Sequence, residues 1–156
     1  MNELADITAL VAILGIAVVY GTDVFCALVL RPALARVDDQ SLVSVMGSVH
    51  RYGDKRMPLP GVVGLIAAAA STALAAASGH WVAAAAAGTA VVLLFVWLAF
   101  YLTVSKPINQ QLTAAAETDQ VPSNARWLQH NWDRIIIARA VLQGLATAAM
   151  CVALLA

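Results

Sequence analysis

Four long apolar runs separated by polar segments organise this chain. The runs extend from Ile7 to Leu30, Leu59 to Ala77, Trp81 to Val104 and Ile135 to Ala156. Each run is close to the roughly 20 residues that an α-helix needs to cross a bilayer. We therefore predict an all-α fold, an integral membrane four-helix bundle in which residues 1–156 form a single transmembrane domain.

The polar segments are predicted to add helices before the second and fourth spans. Apolar residues recur at helical spacing from Asp39 to His50 and the pattern breaks afterwards, which predicts an amphipathic helix at the membrane surface. Pro32 is predicted to stop or bend the first span, and Pro107 to end the third span before a polar loop. Pro122 is predicted to begin a helix that continues into the fourth span.

The basic residues indicate an orientation. Cytoplasmic loops of membrane proteins collect Lys and Arg, so we predict a multi-pass protein of the cell membrane with both basic segments cytoplasmic and both termini outside. All nine Lys and Arg residues lie in two segments, between or flanking the apolar runs: Arg31, Arg36, Arg51, Lys55, Arg56, Lys106, Arg126, Arg134 and Arg139.

Composition supports a membrane protein independently. Hydrophobic residues make up 62% of the chain and charged residues only 12%, and the mean hydropathy is +0.81. These values do not suit a soluble domain of this size. The lipid bilayer is therefore the expected partner, and a net charge of zero gives no reason to expect nucleic acid.

Two ionisable residues are predicted to lie at the same depth inside the membrane. Asp23 lies in the first span and Arg139 in the fourth, at nearly equal distances from the outer ends of their helices. Charges at this depth are unfavourable unless they are paired or face water. We predict an ion pair between them, which would act either as a structural clamp or as part of a binding site.

Further polar and aromatic residues share helical stripes with this pair. Tyr20 precedes Asp23 by three residues, and Gln143 follows Arg139 by four. On the third span, Trp97 and Tyr101 form another stripe. Together these side chains predict a pocket for a flat, hydrophobic aromatic molecule in the cytoplasmic half of the bundle. Alternatively, Trp97 and Tyr101 belong to an ordinary interfacial belt of aromatic residues.

Two histidines are each followed by an aspartate at helical spacing. His50 precedes Asp54 by four residues and His130 precedes Asp133 by three, and facing pairs of this type can bind a metal or haem iron. The ligand count and residue types do not match known carboxylate–histidine bundles. We therefore predict no metal and no cofactor, with both histidines solvated at the membrane surface and both aspartates paired to nearby Lys or Arg.

Several motifs resemble one membrane protein family. They are Gly21-Thr-Asp-Val-Phe25 leading to Val29-Leu-Arg-Pro32, then Lys106-Pro-Ile-Asn-Gln-Gln-Leu112, and finally Trp132-Asp-Arg with Arg139 seven residues after Trp132. The chain resembles the anthrone oxygenase-like integral membrane proteins along nearly its whole length. That resemblance implies a four-helix membrane bundle and, for the family's named members, oxidation of an anthrone to an anthraquinone. It also implies that Asn109, Trp132 and Arg139 lie at or beside the functional site.

Three classes of function follow from these observations. As a cofactor-independent oxygenase, the chain would use Arg139 to stabilise an enolate and Asp23 to accept a proton. As a binding protein, the same pocket would hold a quinone or a lipid without converting it. As a structural protein, the bundle would form a homo-oligomer or a subunit of a larger membrane complex.

Overall fold

The computed structural model describes residues 3–156, and every regular element in that range is a helix, as predicted. In chain order the elements are α1 (Glu3–Phe25), a π-helical turn (Cys26–Leu30), α2 (Arg31–Leu34), α3 (Asp39–Arg56), α4 (Pro58–Ala77), α5 (Trp81–Phe100), a second π-helical turn (Tyr101–Ser105), α6 (Lys106–Glu117) and α7 (Ala125–Leu155).

Four continuous helical stretches are long and apolar enough to cross a membrane: Glu3–Leu34, Pro58–Ala77, Trp81–Glu117 and Ala125–Leu155. Helix α1 packs between α4 and α7, and α5 packs between the same two helices on the opposite side. Helices α3 and α6 pack against each other at one end of this ring, which we call the α3–α6 end. The chain is therefore a multi-pass membrane bundle.

The two prolines predicted to stop or bend helices instead follow π-helical turns. The Arg31 N–H donates to the Cys26 carbonyl, and the Lys106 N–H donates to the Tyr101 carbonyl, each five residues back. Proline has no N–H to donate and clashes with the carbonyl four residues before it. A wider turn just before Pro32 or Pro107 removes the need for that hydrogen bond and leaves room for the proline ring. The prediction of a polar loop directly after Pro107 is wrong, because helix α6 continues to Glu117 and only residues 118–124 lie between helices.

The predicted amphipathic helix is confirmed as α3, although it extends beyond His50 to Arg56. Its N-terminus is capped by Asp38, whose carboxylate accepts the Ser41 N–H at 2.8 Å. Its apolar face packs on α6 and on the start of α7, where Leu42, Met46, Leu112 and Leu128 are fully buried. This helix therefore closes the α3–α6 end of the bundle.

Small residues set the distances between the spans. Alanines supply most of the buried core between the four helices, including the contact between α4 and α5, and such small residues let helices approach closely in a membrane. The backbones of α1 and α4 come close together at Gly15 and Gly64. A Cβ at Gly15 would lie 2.8 Å from the Gly64 Cα and from the Pro60 carbonyl oxygen. Only glycine fits there.

Candidate functional site

A buried ion pair connects the first and last spans. The Arg139 Nη2 donates to the Asp23 Oδ1 at 2.9 Å, with 4% of the Asp23 side chain and 8% of the Arg139 side chain exposed. The Gln143 amide and the Trp97 indole N–H donate to the other carboxylate oxygen. The predicted ion pair is thus present, and three donors surround its anion.

The guanidinium of Arg139 is held on its other side by residues of the third span. Its Nη1 donates to the Ser105 hydroxyl at 2.9 Å. The guanidinium carbon lies 5.5 Å from the ring centres of both Trp97 and Tyr101, a cation–π distance. We call Asp23, Trp97, Ser105, Arg139 and Gln143 the ion-pair cluster. The buried Nε of Arg139 has no hydrogen-bond partner among the described residues.

A second polar group lies nearer the α3–α6 end. The Asp54 Oδ1 accepts the Tyr101 hydroxyl at 3.0 Å and the Asn109 amide at 2.8 Å. The Asn109 carbonyl in turn accepts the Trp132 indole N–H at 3.1 Å. We call these four residues the Asp54 cluster. Tyr101 belongs to it through its hydroxyl and contacts Arg139 through its ring, so it joins the two clusters.

The prediction that Asp54 pairs with Lys or Arg is wrong. Within the described residues, no Lys or Arg nitrogen lies within salt-bridge distance of its carboxylate. Its partners are the neutral donors of Tyr101 and Asn109 on another span, which no spacing in the sequence indicates. Asn109 is likewise inside α6, and its side chain connects Asp54 to Trp132.

His50 is buried, contrary to the prediction that it is solvated. Only 4% of the residue is exposed, and its ring packs against Trp132 with the ring centres 5.3 Å apart. Burial, assisted by the charge of Arg139, lowers the pKa of His50 to about 3. The imidazole is therefore neutral at physiological pH. Its Nε2 has no hydrogen-bond partner in the described part of the chain.

Acidification is expected to destabilise the fold through His50. The unfolded chain binds a proton on this side chain near pH 6.5, whereas the folded chain does not until its pKa of about 3. The unfolded state is therefore favoured as the pH falls below 6.5, by up to about 1.4 kcal/mol per pH unit. When thermal unfolding is measured across this pH range, the unfolding temperature of the wild type should fall more steeply with decreasing pH than that of His50→Leu. His130→Leu, at an exposed histidine, should follow the wild type; parallel curves for the wild type and His50→Leu would contradict the prediction.

One cavity of about 160 Å³ is lined by the whole Asp54 cluster and by every member of the ion-pair cluster except Ser105. Its remaining wall is mostly apolar and comes from Ile16, Val19, Leu65, Leu94 and Leu98. A cavity of about this size is large enough for one aromatic ring. Several lining residues are also exposed at the surface, among them Thr22, Pro58 and Val62. The cavity therefore opens outward, which leaves room for a larger planar molecule.

The structure places most of the predicted pocket residues around this cavity. Asp23, Trp97, Tyr101, Asn109, Trp132, Arg139 and Gln143 all line it. Tyr20 is the exception and a correction: it packs against Gly144 on α7 and is absent from the cavity wall. His50 and Asp54, which the prediction did not assign to the pocket, line it as well.

The remaining histidine–aspartate pair lies elsewhere. His130 is exposed, and Asp133 accepts the Gln129 amide and lies 3.9 Å from Arg31. Over residues 3–156, no group of three or more His, Cys, Asp or Glu side chains is arranged to hold a metal ion.

Comparison with known proteins gives one result. A family model described as anthrone oxygenase matches residues 46–149, more than half of the chain. The matched range contains the Asp54 cluster, His50 and Arg139, whereas Asp23 lies before it. The chain matches no curated protein and no solved structure.

Proposed function

Because this chain belongs to the anthrone oxygenase family, we propose that it binds an anthrone-type aromatic molecule in the cavity and oxidises it with molecular oxygen. The observation that carries the proposal is the burial of the Arg139 side chain beside the cavity. Arg139 is a buried cation on the wall of a mostly apolar cavity, and one of its N–H donors has no partner among residues 3–156. A fixed cation in a dry site is most effective where negative charge develops.

The reaction that suits this arrangement begins with loss of a proton from the carbon opposite the anthrone carbonyl. The electron pair of that C–H bond then makes an enolate, whose charge lies largely on oxygen. We expect the Arg139 Nε to donate to this oxygen. Since the guanidinium is already held by Asp23 and Ser105, little reorganisation is needed as the charge appears.

The enolate carbon then forms a bond to molecular oxygen, and the resulting peroxide takes up the proton that was removed. Loss of the second proton from the same carbon makes the new C=O bond, breaks the O–O bond and releases hydroxide, which becomes water. One anthrone and one O₂ thus give one anthraquinone and one water. We propose that no cofactor takes part, because such a stabilised carbanion reacts with oxygen directly.

Asp54 is better suited than Asp23 to accept the first proton. Both carboxylate oxygens of Asp23 already accept hydrogen bonds, from Arg139, Gln143 and the Trp97 indole, so both are held within the ion-pair cluster. Within the described part of the chain, Asp54 accepts hydrogen bonds from the neutral donors of Tyr101 and Asn109, both on Oδ1. We therefore propose Asp54 as the proton acceptor and Asp23 as a positioning residue for Arg139.

The basic residues also support an orientation. Because they collect at the α3–α6 end of the bundle, we propose that this end faces the cytoplasm, with both termini outside. A hydrophobic substrate dissolved in the bilayer would then reach the cavity from the membrane.

Replacing Asp54 by Asn is expected to lower kcat by about 100-fold, within the usual contribution of a positioned acid–base group. The measurement is oxygen uptake with an anthrone in mild detergent, together with absorbance of the quinone product and correction for oxidation in protein-free detergent. Asp133→Asn is the matched control, since Asp133 lies outside the cavity, and it should keep the wild-type rate. Wild-type protein that does not exceed the protein-free rate would overturn the oxygenase, and substrate binding without turnover would indicate a binding protein.

A further inference from the structure

His50 lies in the wall of the cavity but takes no part in the reaction steps proposed above. It lies on α3 in the wall of the cavity, one helical turn before Asp54. Its neighbours Met46 and Leu42 anchor the helix in the apolar core of the α3–α6 end, and Trp132 packs against its ring. The helix that carries His50 is therefore anchored, and one buried side chain, Trp132, packs against its ring.

Two buried polar atoms on the wall of this cavity lack partners among the described residues, the Nε2 of His50 and the Nε of Arg139. They are chemically complementary. Arg139 can only donate, whereas a neutral imidazole offers one nitrogen as an acceptor. A buried polar group without a partner costs about 1–3 kcal/mol. A ligand with both an acceptor and a donor would satisfy both atoms.

We propose that His50 is a positioning residue, which accepts a hydrogen bond from a hydroxyl group on the bound aromatic ring while Arg139 binds the ring carbonyl. This inference rests on the proposed function, because it concerns the same cavity and the same substrate. Two anchors on different helices would fix the ring in one orientation within the cavity that Asp54 also lines. The charge state of His50 supports this role, since a pKa of about 3 leaves the imidazole neutral and able to accept.

A comparison of two stable product analogues tests the proposal without turnover. The probes are 2-hydroxyanthraquinone and unsubstituted anthraquinone, titrated into the protein in mild detergent and followed by quenching of tryptophan fluorescence. A mildly acidic buffer keeps the phenol protonated. One hydrogen bond to a buried acceptor should make the wild type bind the hydroxylated probe about tenfold more tightly.

The variants separate this role from a packing role. His50→Leu should remove the preference for the hydroxylated probe and leave the Kd of anthraquinone unchanged. His50→Gln, which retains an acceptor, should keep part of the preference, and it also tests the proposal if the Leu variant does not fold. His130→Leu is the matched control at an exposed histidine and should behave as the wild type.

The outcomes distinguish this inference from the proposed function. Wild-type protein that binds both probes equally, or a His50→Leu variant that retains the preference, would overturn the role of His50 and leave the oxygenase proposal intact. Wild-type protein that binds neither probe would overturn both. Equal weakening of both probes by His50→Leu would show that His50 only supports the wall of the cavity.

Discussion

Replacing Asp23 by Asn is expected to lower the free energy of unfolding by about 3–5 kcal/mol, as is typical when one partner of a buried ion pair is removed. The Arg139 side chain is only 8% exposed, so water screens its remaining charge poorly. Gln143 also loses a charged acceptor. The measurement is unfolding in mild detergent, followed by the fluorescence of the four tryptophans.

Asp133→Asn is the control for a carboxylate that contributes little. Arg31 lies 3.9 Å from Asp133 and its side chain is 45% exposed, so this pair should be worth less than about 1 kcal/mol. Similar losses of stability in Asp23→Asn and Asp133→Asn would contradict the prediction.

A double variant separates a structural clamp from a functional site. Asp23→Asn with Arg139→Gln removes both buried charges, and most of the stability lost in Asp23→Asn should return. Turnover should nevertheless stay at least about 100-fold below that of the wild type, because the cation that stabilises the enolate is gone. A stable double variant with wild-type turnover would leave the ion pair with a structural role alone.

Gly15→Val is expected to lower the free energy of unfolding by about 3 kcal/mol, at the upper end of ordinary overpacking. The new Cβ would overlap backbone atoms of Gly64 and Pro60 at 2.8 Å, and backbone cannot move aside as a flexible side chain can. Helices α1 and α4 must therefore separate. Because Val19 and Leu65 of these helices line the cavity, probe binding should weaken as well.

Gly21→Ala is the matched control on the same helix. No atom lies within 4 Å of a Cβ built there, and alanine is about 0.5–1 kcal/mol more favourable than glycine within a helix. This variant should unfold at the wild-type temperature or slightly above it. If Gly15→Val is as stable as Gly21→Ala, the close contact between α1 and α4 does not determine stability.

The four spans could be predicted because the length of each apolar run is read directly from the sequence. The same holds for the ion pair, since Asp23 and Arg139 are unfavourable in lipid unless they meet. The path of the chain after Pro107 was not predictable in this way. Proline usually ends a helix, and only the hydrogen bond from Lys106 to the Tyr101 carbonyl shows that a π-helical turn lets this one continue.

The site was predicted in part for a similar reason. Residues on spans, such as Trp97 and Gln143, follow helical periodicity, so their faces can be assigned. His50 and Asp54 lie on α3. The sequence does not indicate whether this helix rests on the membrane or closes the bundle, because that depends on its packing against α6, which is distant in sequence. Tyr20 shares the stripe of Asp23, but it points to Gly144 because that glycine leaves room for its ring.

The same succession of a span, a π-helical turn, a basic residue and a proline occurs twice, at Arg31–Pro32 and at Lys106–Pro107. Each is followed by a helix of the α3–α6 end and a second span, and a short turn between α4 and α5 joins the halves. Asp23 belongs to the first half and Arg139 to the second. The hydrogen bond from Arg139 to Asp23 therefore holds the two halves of the bundle together.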